Sequence, residues 1–283
     1  MRQLATLLLL SVWLIPAAQA QQVEDTCMAA LQAADSAEYD SAIEGFEACL
    51  ASEELTPDQE VMIYAELGSV HLAREDYEAA LQAYAFTFAI AETQGAEISH
   101  PMIYRNRGIA LGQTQAFERA LRDLYRAQSM LGDDPLTLIN IGWIYGQLER
   151  HEDAVVIYDR LVRTEPDWSG AWLNRSAAFL EIGMISEAVS DARRAVEIEP
   201  ENGSTLNMLC WTLIQDDRAE TALPLCRQAV ELEPDSGHIV HSLAAALEAT
   251  GETRRARRLY AQAHRMEPDD PEITADYERT QRP

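Results

Sequence analysis

Residues 138–200, LINIGWIYGQLERHEDAVVIYDRLVRTEPDWSGAWLNRSAAFLEIGMISEAVSDARRAVEIEP, hold two copies of one pattern placed head to tail. With Gly142 as position i of the first copy, Ala154 stands at i+12, Tyr158 at i+16 and Pro166 at i+24. Ser176, Ala188, Ala192 and Pro200 repeat those offsets, so the pattern recurs at i+34. Two short helices approach closely only where small side chains meet, which gives Gly142 opposite Ala154 a physical cause. Carried along the chain, the small anchor becomes Ala30, Gly68, Gly108, Gly142, Ser176, Cys210 and Ala244. The i+12 position is alanine each time: Ala42, Ala80, Ala120, Ala154, Ala188, Ala222 and Ala256. Pro166, Pro200, Pro234 and Pro268 close the last four units. Matches held in register over seven anchors mark an array of repeated helical hairpins.

The small anchor, the alanine, the aromatic one helical turn beyond it and the closing proline resemble the tetratricopeptide repeat. The resemblance covers nearly all of the chain after residue 20; it is tight from Tyr104 to Pro268 and looser before, where the first two anchor spacings are 38 and 40. It implies an all-α fold, a right-handed α-solenoid of about seven helix-turn-helix units whose first helices line a concave groove, with a C-terminal capping helix. The units fall at approximately 23–56, 60–97, 101–134, 135–168, 169–202, 203–236 and 237–270, and the cap at 271–281. Apolar residues recur at helical spacing in both halves of a unit, as in Leu138, Ile141, Gly142 and Tyr145, then Ala154, Ile157, Tyr158 and Leu161. Asp76, Glu152, Glu187 and Glu220 are expected in the first turn of second helices, where negative charge favours the helix dipole. The longer joints are Ser52 to Pro57 and Glu92 to Pro101, the second of which is expected to extend a helix or add a loop.

Arg2, an apolar run from Leu4 to Ile15, Pro16 and Ala18-Gln19-Ala20 have the layout of a cleaved secretory leader, with cleavage after Ala20. The run is too short for a membrane span, and no later run reaches that length. Export to the bacterial periplasm is therefore expected. Of 283 residues, 47 are acidic and 22 basic, every one of the latter arginine, for a formal charge of −25. Residues 21–100 hold 17 acidic side chains against the single Arg74. That balance excludes nucleic acid as a partner; the acidic end is either a docking surface for a basic protein or only solubilising. The cluster Arg254, Arg255, Arg257 and Arg258 is read as a solvated face or an acidic-partner contact.

Four cysteines in an exported chain allow three disulfide pairings. Residues equidistant from the turn of an antiparallel hairpin face each other. Cys210 and Cys226 are centred on Arg218, and Cys27 and Cys49 on Glu38, each centre eight beyond its anchor. Each pair is expected to bridge within one hairpin, against the alternative of buried free thiols.

No HExxH, CxxC, phosphate-binding glycine loop or GxSxG occurs, so the chain is read as a non-enzyme without metal or cofactor. His71 and Glu75 stand at i and i+4 but lack further ligands, and His71 is read as a satisfied core histidine. His151 takes a packing position. His238 and His241, at i and i+3 on a first helix, combine groove exposure with metal-compatible spacing and carry the alternative of an enzyme or metal-binding protein of unrecognised type.

The expected function is that of an extracytoplasmic scaffold or adaptor holding an extended segment of another protein, of unknown identity, in the groove. Two before successive anchors stand Asn106, Asn140 and Asn174. An amide side chain complements a peptide group, and the arrangement resembles the asparagine ladder with which some tetratricopeptide grooves hold a peptide backbone. Arg105, Ile139, Leu173, Asn207 and His241 lie three before their anchors, and Trp143 and Trp211 one after theirs. The tryptophans are expected to supply apolar contact and Arg105 to favour a carboxylate. Alternatively the asparagines bond neighbouring helices across the seam between repeats.

Overall fold

The computed structural model describes residues 17–52 and 55–282, with side chains from residue 24 onward. The apolar run expected to belong to a leader, residues 4–15, lies outside the described residues. Among these there are fifteen α-helices and no strand: α1 (Ala17–Asp35), α2 (Tyr39–Leu50), α3 (Pro57–Ala73), α4 (Tyr77–Thr93), α5 (Pro101–Gln113), α6 (Phe117–Leu131), α7 (Pro135–Gln147), α8 (His151–Thr164), α9 (Ser169–Glu181), α10 (Ile185–Ile198), α11 (Gly203–Gln215), α12 (Ala219–Leu232), α13 (Gly237–Ala249), α14 (Thr253–Met266) and α15 (Pro271–Gln281). They form an all-α solenoid of seven hairpins and a last helix, in two compact units divided between Asn140 and Ile141.

All seven alanines of the repeat are at most 1% exposed. The reason for the small anchor differs from the one expected. A side chain on Gly68 would meet the ring of Tyr84 at 2.8 Å, and one on Gly142 would run into the ring of Tyr158. At Gly68 and Gly142 the anchor is thus kept small chiefly for the aromatic at i+16, and at Gly108 for Leu124 in the same place, not for the alanine at i+12. That alanine contributes its backbone instead: Ser176 Oγ donates to the Ala188 carbonyl at 2.8 Å.

Each hairpin turns through a residue with left-handed backbone, always seven beyond the anchor. Ala37, Glu75, Gln115, Glu149, Gly183, Asp217 and Gly251 have φ between 54° and 85°. The N–H that follows then reaches back to the first helix, as from Arg150 to the Tyr145 carbonyl at 2.9 Å. Only two of the seven are glycine. Asp76 is the N-cap of α4, accepting from the Ala79 N–H, whereas Glu152, Glu187 and Glu220 do lie in first turns. At the longer joint α4 runs on to Thr93 and a loop follows, with Ile98 buried in it.

In the first unit α3 touches α1 and α5; in the second, α11 touches α9 and α13. First helices are therefore neighbours of first helices within each unit. Cys210 and Cys226 have Cα atoms 5.3 Å apart, and Cys27 and Cys49 5.5 Å apart, within disulfide reach. No helix among the described residues is long and apolar enough to cross a membrane. The last helix, α15, buries Ile273 with Val240 and Ala263. It is tied down by charge: Arg279 donates to both oxygens of Glu248 at 2.8 and 2.6 Å.

Candidate functional site on the first helices

In the first unit the residues expected to face a ligand on α5 are buried and partnered within the chain. Asn106, 9% exposed, donates through Nδ2 to Ser69 Oγ on α3 at 3.1 Å, and Ser69 Oγ lies 3.2 Å from the Tyr84 hydroxyl. Its amide bonds across the seam between repeats, the alternative weighed above. Arg105, 8% exposed, reaches Asp134 at 3.3 Å. Asp134 also accepts from the Thr137 N–H and hydroxyl at 2.9 and 2.6 Å. Burial pushes the Asp134 carboxyl up, but the bonds from Thr137 and the Arg105 charge outweigh it and hold it below the usual carboxylate range. Arg105 thus answers an internal carboxylate rather than a partner's. Beside this network Glu66 is pushed up to about 7, by burial first and then by the Asp35 charge.

Asn140 and Asn174 behave differently from Asn106. Asn140 Nδ2 donates to the Leu136 carbonyl and Asn174 Nδ2 to the Gly170 carbonyl, each at 2.7 Å, one turn back in its own helix. The carbonyl oxygen of each amide has no hydrogen-bond partner among the described residues, and both side chains keep partial exposure. Ile139, Trp143, Leu173 and Trp211 are half-buried. Asn207 on α11 is half-buried, and its Oδ1 is shielded from solvent without a hydrogen-bond partner. In the second unit Leu173, Asn174, Asn207 and Trp211 are carried by the adjoining helices α9 and α11.

Two histidine expectations are corrected. His241 is 4% exposed, with Nε2 2.9 Å from Asp276 of α15 and its ring 5.8 Å from Trp211 and 5.4 Å from Tyr260. It fastens the last helix and is not open to a ligand. His238 is exposed and stands 4.0 Å from Asp270, so the two do not share a site. Nor is His71 a satisfied core histidine, for its Nδ1 is buried with no hydrogen-bond partner. Among the described residues no three His, Cys, Asp or Glu side chains are grouped to hold a metal ion.

Sequence reasoning missed a buried ion pair that recurs in alternate hairpins. Arg107 Nε and Nη2 donate to Asp123 at 2.6 and 2.8 Å, and Arg175 Nε and Nη2 to Asp191 at 2.7 and 2.9 Å. In each case the arginine is one before the anchor and the aspartate 15 after it. Three of the other five repeats pair two large apolar side chains there, Ile141 with Ile157, Leu209 with Leu225 and Leu243 with Leu259, and the first two have Ala29 with Gly45 and Leu67 with Ala83. That switch between opposite charges and two hydrophobes at a fixed offset was readable. Arg107 also lies over the Phe88 ring, 3.4 Å from its centroid.

With the geometry in place, two family models describing the tetratricopeptide repeat match, over residues 154–278 and 137–167. The chain belongs to the tetratricopeptide-repeat family. A tetratricopeptide repeat protein from Parabacteroides merdae superposes with a TM-score of 0.70 at 16% identity, covering 93% of this chain and all of that one. A thermophilic tetratricopeptide-repeat protein of Thermus thermophilus gives 0.54 at 20%, covering 64% of this chain and 99% of that one. MamA of Desulfovibrio magneticus RS-1 gives 0.53 at 20%, covering 62% and 99%. At these identities the likeness is one of fold. A search of curated proteins gives no match. The fold supports a protein-interaction scaffold in general, of a kind that is typically non-catalytic.

Proposed function

We propose that this tetratricopeptide-repeat protein is an extracytoplasmic scaffold that holds an extended segment of a partner protein along the first helices of its repeats. The observation that carries the reading is the state of the amides. Asn140 in the first unit and Asn174 in the second are each held by one bond to their own helix, leaving a carbonyl oxygen and one N–H for a peptide group. In the second unit Asn207 adds a shielded oxygen that lacks a donor, and Leu173 and Trp211 add apolar surface. Arg105 and Asn106 serve the architecture, so recognition of a carboxylate by Arg105 is dropped. The extracytoplasmic location is supported by the leader pattern and by two cysteine pairs at disulfide distance, which account for all four cysteines.

Affinity capture from the envelope fraction of the source organism, with wild type and an Asn140→Ala/Asn174→Ala variant compared, tests this. The expected result is a protein retained by the wild type and lost from the variant, with unchanged thermal unfolding. Asn106→Ala should behave oppositely, lowering stability by about 1–2 kcal/mol because Ser69 and Tyr84 lose a buried partner. Equal retention by the double variant would overturn the amide reading. Alkylation of all four thiols in native exported protein without reduction would overturn the disulfides.

A further inference from the structure

Within the first unit α2, α3 and α4 line an open cavity of about 370 Å³. Glu47 of α2, Tyr64, Leu67 and His71 of α3, and Gln82 and Phe86 of α4 are among its walls. The Tyr64 and Phe86 rings stack, with centroids 4.9 Å apart and planes at 25°. Phe86 is 45% exposed, an unusual position for so large an apolar ring. Behind the rings the His71 side chain is 14% exposed, and its Nδ1 has no hydrogen bond, since the Asp76 carboxylate stands 3.8 Å away. Burial, the largest influence, lowers the His71 pKa, so the ring is neutral near pH 7 and one of its nitrogens is an acceptor. Glu47 is exposed, acts electrostatically on His71, and its carboxylate makes no ion pair or hydrogen bond among the described residues.

The chemistry of these walls selects an occupant. Stacked aromatic faces attract a cation, a carboxylate without a partner pairs with one, and the Gln82 amide oxygen accepts its N–H groups. The surrounding charge agrees, because the only basic residue in 21–100 is Arg74, which already donates to Asp40 at 2.7 Å. An anion would meet the field of 17 acidic residues. An apolar side chain would cover Glu47 without giving its carboxylate a partner. We propose that this cavity is a docking site for the cationic side chain, arginine or lysine, of a basic segment in a partner protein. It is built from the first unit alone and does not depend on the first-helix reading above.

The test uses the full chain at low salt and a fluorescein-labelled octapeptide, Gly-Ser-Arg-Gly-Ser-Arg-Gly-Ser, followed by anisotropy. The peptide is expected to bind, and its counterpart with norleucine in place of both arginines to bind at least about tenfold more weakly. Phe86→Ala and Glu47→Gln, both at exposed positions, should each weaken binding about fivefold. Glu92→Gln makes the same charge change on α4 outside the cavity and should leave affinity within about twofold. In the wild type, the His71 ring resonances should shift on titration with the arginine peptide, a readout that needs no variant. Equal binding of the norleucine peptide would assign the cavity to an apolar side chain and overturn the proposal. So would an equal loss in Glu92→Gln, an unmoved His71 signal, or no binding by the wild type.

Discussion

Replacing Arg175 with leucine removes the partner of a carboxylate that cannot reach water. Arg175 and Asp191 side chains are 14% and 6% exposed, and the guanidinium fork meets both carboxylate oxygens. Its remaining Nη1 donates to Asp159 at 3.0 Å. Breaking such a pair from one side leaves a buried unpaired charge, which costs about 3–5 kcal/mol. Asp159 contributes little to that sum, since it is 43% exposed and keeps Arg163 at 2.7 Å. The double change Arg175→Leu/Asp191→Leu recreates what the chain already does at Leu209 with Leu225 and at Leu243 with Leu259, four residues of one apolar cluster. It should bring stability back to within about 1 kcal/mol of wild type, or above it, because a well-packed apolar pair avoids the desolvation of two ions. The assay is urea unfolding, with hydrogen exchange in α9 and α10 to locate the loss. A single-variant cost below about 1 kcal/mol, or a double variant no better than the single, would refute the reasoning.

The Glu66 carboxyl is pushed from 4.5 up to about 7, so the folded protein binds a proton that the unfolded chain releases. Stability should fall as pH rises between those values, by roughly 3 kcal/mol, and Glu66→Gln should abolish the fall; a wild-type minus variant difference that ignores pH would refute it. Glu149 turns its hairpin at φ 57°. Glu149→Gly should stabilise by up to about 1 kcal/mol and Gly183→Ala, at φ 75°, should destabilise by a similar amount, both read from thermal melts. Reducing the Cys210 to Cys226 pair, separated by 16 residues, should cost about 3 kcal/mol of stability in urea, a loss that a Cys210→Ala/Cys226→Ala variant reproduces without reductant.

The fold was legible because close helix packing admits few residues at the anchor and at the alanine, and the chain repeats both in seven units. The ring filling the space over Gly142 was legible too, as the aromatic at i+16, although sequence alone assigns its role to Ala154. The site was legible only in part, because one repeat position carries asparagines with different duties. Asn106 crosses to Ser69, which is one past the preceding anchor and can accept an amide N–H. The residue at that place is Ile109 before Asn140, with no polar side-chain atom, so comparing those two neighbours separates Asn106 from Asn140; before Asn174 it is Trp143, whose ring N–H can donate to an amide oxygen, and there the comparison decides nothing. His241 was misread because its partner, Asp276, lies in α15, past the last anchor; one further step of the period places Asp276 two before the next anchor position, the place that Asn106, Asn140 and Asn174 hold in earlier repeats.

The first and last helices are secured by different chemistry. Cys27 of α1 and Cys49 of α2 stand within disulfide reach, whereas α15 relies on Ile273 and on Arg279 and Asp276 held to Glu248 and His241. A thiol reductant should therefore loosen one end and leave the other intact, and concentrated salt, by screening the half-exposed Arg279, should do the reverse. In repeat proteins, where each hairpin is steadied by its neighbours, melting can begin at a terminal repeat. Redox state and ionic strength should then act separately on the first and the last helices of this chain.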